Sequence, residues 1–465
     1  MKKIILLLLV IFTILYGNAQ YNITIKIYDF QADSLTLNSY NAKTWSFEPI
    51  LKIPYQEEMH LIGKQTLHPG YYVVTADSFD LASFFISNTK NQKFTLEIWK
   101  DLIQFTDNEE NKAYLNFRKK ETEIHQKLKI LDEEFAKIQK SNMPAYMKQT
   151  SIDSLAAHAL TIINSKHKFI QNLLEEQNQT LFASYLQSQL PIPEPPKSYY
   201  NNKNRYTQFL ADTLLTHFPW HDERFFSTPF ALNILRDYAK TIIQLPYNQA
   251  IISLKKTLTS AAINPQSYFL AFDFFEKMFG DLNSPFRSEP LYQTMLQHIL
   301  AMPTLEKSSK VRYEFELSMI HKNKIGDTIS NFPILLSTGD TTSIYQIPAE
   351  YMLIYFQNPN CPTCIETRQH LQTLTLLNQA IEKKKIKVVT IYFEDDENIW
   401  RQYLQESANP KYIHGWNYSL NIEKEYLFDT RVIPMMIIVD NNKRVIAKDI
   451  HYSEIESFLQ HLGLN

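Results

Sequence analysis

The chain holds two cysteines, and both fall in one four-residue stretch, Cys361-Pro362-Thr363-Cys364. The residues around them constrain the local fold tightly. Met352-Leu353-Ile354-Tyr355-Phe356 is an apolar and aromatic run of strand length. Gln357-Asn358-Pro359-Asn360 has loop composition. Beyond the second cysteine, Ile365, Leu371, Leu374 and Leu377 recur at roughly helical spacing. The two thiols therefore stand at a strand-to-helix junction. Unpaired backbone N–H groups and the positive end of the helix dipole favour a thiolate there, and the thiolate is the species that thiol–disulfide exchange uses. With no third cysteine, the pair can bridge to itself, stay reduced or meet another molecule. A redox-active dithiol is the reading the spacing favours, and a static bridge across the first helical turn is the alternative. Half of a zinc site is the weakest, because zinc wants four ligands and no second cysteine pair exists; no metal is expected.

The chain opens Met1-Lys2-Lys3, continues with an apolar run over residues 4–16, and reaches Gly17-Asn18-Ala19. That order of positive residues, apolar stretch and small residues is an export leader. Cleavage after Ala19, a mature chain from Gln20 and a periplasmic location are expected. The run is short for a bilayer span, although an N-terminal anchor helix is the alternative. No later stretch is long, apolar and uncharged, so no stable span is expected after cleavage. In an oxidising compartment disulfides persist, yet a chain of this length with one cysteine pair does not depend on a disulfide framework. Its formal net charge is −2 and it carries no basic stripe interleaved with aromatics, which argues against a nucleic-acid partner. The length suffices for more than one domain.

Three regions follow the leader. Residues 20–106 read as a small all-β domain: Ile23, Ile25 and Ile27 alternate with polar residues, as do Leu35 and Leu37, and further β-prone runs are separated by turns such as His68-Pro69-Gly70. His60 and His68 are isolated and read as surface or turn residues. Residues 107–321 read as an all-α domain, with charged and apolar residues mixed at helical spacing. Pro191, Pro193, Pro195 and Pro196 interrupt it with an extended connector. His217, His221 and Asp222 lie close in sequence but lack regular ligand spacing. Residues 322–465 read as α/β: a hairpin around Thr338-Gly339-Asp340, the strand–cysteine–helix unit, a strong strand over residues 387–393, and a strand over 432–440. Asn441-Asn442 then turns the chain into a further strand and a closing helix.

Strand, CxxC, helix, a second β/α unit and then Ile433-Pro434 leading a strand, an Asp-Asn turn, a strand and a helix resembles the thioredoxin fold. Ile325-Gly326-Asp327 followed by Phe332-Pro333 resembles the leader of its TlpA/ResA-type branch of exported thiol–disulfide oxidoreductases. The resemblance covers residues 322–465. The front regions are similar to the β and helical domains that precede such modules, which imply no chemistry. It implies that Cys361 is the attacking thiolate, Cys364 the resolving thiol, and Cys361–Cys364 a redox-active disulfide when oxidised. It also implies that Pro434 is the cis-proline facing the pair, with Ile433 and Pro434 binding an extended substrate segment. No dissociable cofactor is implied, and the partners are disulfide-containing proteins and an upstream redox protein. The sequence departs from the family at Asn360, where an aromatic is usual, at Tyr355, where a buried acid is usual, and in the Pro-Thr pair between the cysteines. Glu366 is the one nearby carboxylate, and it reads as a solvated helix-face residue.

The expected whole is an exported, multi-domain thiol–disulfide oxidoreductase, with the reductase direction favoured. The rival is a periplasmic binding or scaffolding protein whose thioredoxin-like domain carries a static disulfide.

Overall fold

The computed structural model describes residues 21–464 apart from 29, 64, 78, 89–91 and 101; the leader expected at residues 1–19 lies outside the described residues. The chain divides into two compact units, with the boundary between Gly280 and Asp281. It carries an N-terminal β region, a central helical region and a C-terminal α/β region.

In the first unit, β1 (Tyr21–Ile27), β4 (Glu58–Gly63), β7 (Lys93–Trp99) and β8 (Leu102–Thr106) form one sheet in the order β4-β1-β7-β8. Strands β2 (Ser34–Asn41), β3 (Ser46–Pro54), β5 (Gly70–Ala76) and β6 (Phe79–Ile86) form a second sheet in the order β3-β2-β5-β6. Strict alternation makes the sandwich: Ile23, Ile25 and Ile27 from one sheet share a core with Leu35, Leu37 and Phe84 from the other. Strand β5 is buried almost throughout, because its second face is covered as well. There Tyr71 and Phe85 meet Tyr114, Tyr185 and Phe230 of the helical region, with Phe85 and Tyr114 centroids 5.0 Å apart and Tyr185 and Phe230 4.3 Å apart. Packed edge-to-face or tilted, these rings weld the sandwich to the helices.

The helical region opens with a hairpin of two 32-residue helices, α1 (Glu109–Lys140) and α2 (Ala145–Glu176). Asn108 caps the first by accepting the Asn111 N–H, and Pro144 stands at the N-cap of the second. Short helices follow: α3 (Leu181–Ser188), α4 (Lys203–Thr213), α5 (Pro229–Ile242), α6 (Tyr247–Ala261) and α7 (Pro265–Phe275). The proline segment between α3 and α4 has no regular secondary structure over residues 191–196 and then forms a 3-10 turn at Lys197–Tyr199.

The second unit begins with α8 (Glu289–Leu300) and α9 (Lys307–Ile320) and then builds a seven-stranded sheet. Its strands are β9 (Pro333–Leu336), β10 (Thr341–Ser343), β11 (Tyr351–Phe356), β12 (Ile386–Tyr392), β13 (Ile413–Trp416), β14 (Met435–Asp440) and β15 (Val445–Lys448), ordered β10-β9-β13-β12-β11-β14-β15. Helices α10 (Pro362–Thr373), α11 (Thr375–Glu382), α12 (Glu397–Glu406), α13 (Asn421–Lys424) and α14 (Ile455–His461) complete it. Strand β11 pairs in parallel with β12 and antiparallel with β14, and both of its faces are buried in separate apolar clusters. Strand β13 is absent from the sequence reading: Ile-His-Gly-Trp carries little β signal. Packing demands it, because a Cβ on Gly415 would stand 2.8 Å from Ile334 Cδ1 on the neighbouring strand.

Candidate active site

Strand β11 ends at Phe356, whose register partner on β14 is Met435. The loop after β11 therefore lies beside the residues that enter β14, Ile433 and Pro434. Their peptide bond is cis. Asn358 shapes the loop: its backbone carbonyl accepts the Cys361 N–H at 3.1 Å and its Oδ1 accepts the Asn360 N–H at 2.8 Å. Its Nδ2 donates to Glu394 Oε1 at 2.7 Å, fixing the side chain from the far side. Cys361 is the N-cap of α10, and Pro362 takes the first helical position, where a missing N–H costs nothing. The Cys361 carbonyl accepts the Ile365 N–H at 2.9 Å, so the first turn is closed.

Both cysteines are free thiols, Cys361 partly exposed and Cys364 buried. Cys361 Sγ lies 3.0 Å from Thr363 Oγ1 and 4.0 Å from the Ile433 carbonyl oxygen, which is itself 3.4 Å from Thr363 Oγ1. Thus Cys361, Cys364, Ile433 and Pro434 come together at one end of the sheet. Burial by itself pushes the Cys361 thiol up. Hydrogen bonds from the Thr363 hydroxyl, from the backbone N–H groups of Cys364 and Thr363, and from the Cys364 thiol outweigh it, and the net shift is down. For Cys364 burial wins, and its thiol is pushed up to about 12. One sulfur is shifted toward the thiolate near the surface and the other toward the thiol beneath it.

Behind the pair is a polar layer the sequence reading did not find. The Tyr355 hydroxyl donates to the Cys364 carbonyl at 2.7 Å, tying β11 to the first turn of α10. Arg368, one turn beyond Cys364, is buried, donates to Gln357 Oε1 at 3.0 Å and lies 5.1 Å over the Tyr403 ring. His414 joins Thr390 at 2.7 Å and Tyr403 at 3.1 Å. The one sequence signal for this layer is Arg368 in line with Cys364 and Leu371 on a single helix face. Glu366 is exposed on the opposite face, 3.8 Å from His370.

His217 Nε2 lies 3.0 Å from the Pro191 carbonyl, and Asp222 is taken up by Ser184 and Arg224. Among the described residues no group of three or more His, Cys, Asp or Glu side chains gathers to hold a metal ion. No described helix is long and apolar enough to cross a membrane.

Residues 349–445 match a family model described as thioredoxin-like. The second unit carries a thioredoxin-like domain. Residues 163–323 match a model described as a domain of unknown function, DUF5106. Among solved structures, a thioredoxin-like protein from Bacteroides caccae is 28% identical with a TM-score of 0.55, covering 58% of this chain and 98% of its own. The C-terminal domain of an uncharacterized protein from Bacteroides fragilis is 32% identical with a TM-score of 0.29, covering 30% of this chain and 98% of its own. A domain of a possible thiol-disulfide isomerase from Cytophaga hutchinsonii is 21% identical with a TM-score of 0.28, covering 31% and 95%. No curated protein matches.

Proposed function

We propose that the chain is an exported thiol–disulfide oxidoreductase that reduces disulfides in protein substrates through Cys361 and Cys364. The asymmetry of the two thiols carries the reading. The Cys361 thiolate attacks one sulfur of a substrate disulfide, forming a mixed disulfide and releasing one substrate thiolate. Cys364 then loses its proton and attacks Cys361 Sγ. A Cys361–Cys364 bond forms, the second substrate thiol leaves, and two electrons have passed to the substrate. An upstream dithiol protein reloads the pair. Substrate backbone running past Ile433 and Pro434 would lie against the exposed sulfur.

The reductase direction rests on what acts on Cys361. The groups that lower its thiol most are hydrogen-bond donors rather than cations, whereas a strong oxidant needs a heavily stabilised thiolate. Export to the periplasm rests on the pattern of Lys2, Lys3 and the apolar run that follows. The deciding experiment is a redox titration of the full chain. A potential near −270 mV, the thioredoxin value, is expected. One below about −300 mV marks a structural bridge, and one near −120 mV marks an oxidant; either result defeats the reductase reading.

A further inference from the structure

The long hairpin of the first unit buries nothing over its outer half. On α1 the last buried residue is Leu131 and on α2 the first is Ile162, so none of residues 132–161 is buried. The seam between the two helices gathers Ile124, Leu131 and Ile162 with Leu128, Leu155 and Ala159. Its alternating steps of four and three run on along α1 through Phe135 and Ile138, yet Phe135 is exposed. So are Met143, Tyr146 and Met147 around the turn, Tyr146 by 68%. Lys148 Nζ donates to the Gln139 carbonyl at 3.1 Å and ties the helices together there. Packing of an apolar face is what stabilises a helix in a protein, and these apolar side chains are left outside the packing.

We propose that the tip of this hairpin is a docking surface for the face of an anionic phospholipid bilayer. The proposal goes beyond the dithiol reading and does not depend on it. Charge is the first argument. Residues 135–152 include Lys137, Lys140 and Lys148 and no aspartate or glutamate, in a chain whose formal net charge is −2. Nearer its base the same hairpin pairs its cations: Lys112 with Glu109 at 2.6 Å, Arg118 with Glu121 at 3.3 Å and Lys166 with Glu121 at 3.2 Å. At the tip the local sequence supplies no carboxylate for such a pair. The helix ends add to the positive field. Helix α2 starts there with no capping side chain and no acidic residue in its first turn, which leaves its partial positive charge uncompensated. Helix α1 ends there with Lys137 and Lys140 in its last turn, which offset its partial negative charge.

Depth is the second argument. Asp132, Glu133 and Glu134 form an acidic collar behind the tip. From Glu134 to Lys140 the helix rises about 9 Å, and from Ala145 to Asp153, the first carboxylate of α2, it rises about 12 Å. An interfacial apolar surface sinks about 5–10 Å into the headgroup region. The basic and apolar tip therefore enters that region while the carboxylates stay in water. The surface lies on a bilayer without spanning it, in keeping with the absence of any described helix long and apolar enough to cross one.

Side-chain type is the third argument. A tyrosine ring rests at headgroup level with its hydroxyl wet. Lysine stems lie along apolar surface while their ammonium groups reach phosphate. Methionine refits to a fluid neighbour. Spread around a turn between two helices, these residues suit a deformable surface better than the fixed pocket of a protein.

The test uses the chain from Gln20, so that the apolar residues 4–16 cannot bind lipid themselves, and flotation with two kinds of vesicle. One is phosphatidylcholine and phosphatidylglycerol in equal parts, the other phosphatidylcholine alone. The protein should float with the first and not with the second, and added salt should release it. Lys137→Gln, Lys140→Gln and Lys148→Gln together should weaken binding about a hundredfold, the factor that ~1 kcal/mol per lysine gives. Tyr146→Ser with Met147→Ser should weaken it about tenfold with the lysines in place. Thermal unfolding should match the wild type in both variants, since neither alters a buried side chain. Failure to float with the anionic vesicles, equal binding to both kinds, or binding that survives both sets of substitutions overturns the proposal. A dimer that forms without vesicles and is dissolved by both variants gives the surface to a second copy of the chain and overturns it as well.

Discussion

In the first unit, Asp222 accepts from Arg224 Nε at 2.7 Å and from the Ser184 hydroxyl, and Arg224 Nη1 donates to the Ser87 carbonyl at 2.7 Å. Glu110, half-buried, accepts from the Ser87 hydroxyl and from the Phe182 N–H. Every one of these groups is satisfied by another, and together they tie the end of β6 to α1, α3 and the loop before α5. In the second unit the buried guanidinium of Arg368 has an amide and a phenol ring for company, and no carboxylate among the described residues pairs with it. The neighbouring thiols are split into one lowered and one raised. Buried polarity that closes on itself holds a scaffold together. Buried polarity left polarised beside a partly exposed sulfur is what chemistry requires. The same contrast separates Ser184–Asp222 from a nucleophile: Asp222 is engaged by a cation and holds its proton less readily than an ordinary aspartate, despite burial.

Substitutions can break or sharpen that comparison. The largest effect belongs to the sulfurs. Cys361→Ser should abolish disulfide reduction, while Cys364→Ser should accumulate mixed disulfides visible on non-reducing gels; turnover surviving without Cys361 would remove the attacking role. Next is the closed cluster of the first unit. Asp222→Asn leaves Arg224 half-buried and unpaired, and should lower stability to denaturant by about 3 kcal/mol, with the alkylation profile of Cys361 unmoved. A shift in that profile would show that the two units are not chemically separate.

Tyr355→Phe deletes one hydrogen bond to the Cys364 carbonyl and should cost about 1 kcal/mol. Mixed-disulfide resolution should slow modestly with it. The smallest effect is expected from Thr363→Val. Alkylation of Cys361 should rise with pH along a single titration, since the thiolate forms as pH passes its pKa, and its midpoint should lie below the ordinary cysteine value. Removing the Thr363 hydroxyl takes away a bond that favours the thiolate, so the midpoint should move up and the rate at neutral pH fall. A midpoint that stays in place would mean the backbone N–H groups suffice.

Much of this was legible residue by residue. The run from Met352 to Phe356, the loop residues after it and the periodic leucines of α10 and α11 announce strand, loop and helix, because each reports a local period or a local breaker. The alternation in β1 and β7 announced strands of an all-β domain in the same way, while the sandwich arrangement came from the structure. Strand β13 escaped because its place is set by a neighbour: Gly415 is there to let Ile334 approach, a constraint that no local pattern records. Strand β3 escaped for a related reason, being largely exposed and carrying Pro49.

The sequence by itself determined the order of the regions, the strand-to-helix seat of Cys361 and Cys364, and the thioredoxin-like character of the last part of the chain. Tertiary structure alone decided by which contacts the two thiols, already told apart by the resemblance, are lowered and raised, that Tyr355 and Arg368 stand behind them, and that a walled pocket opens beside Pro434. The physical reason is range. Period, breakers and a helix dipole act over a few residues, whereas desolvation, a hydrogen bond from strand to helix, and a pocket wall drawn from Leu282 to Ile450 exist only after the chain has brought distant residues together.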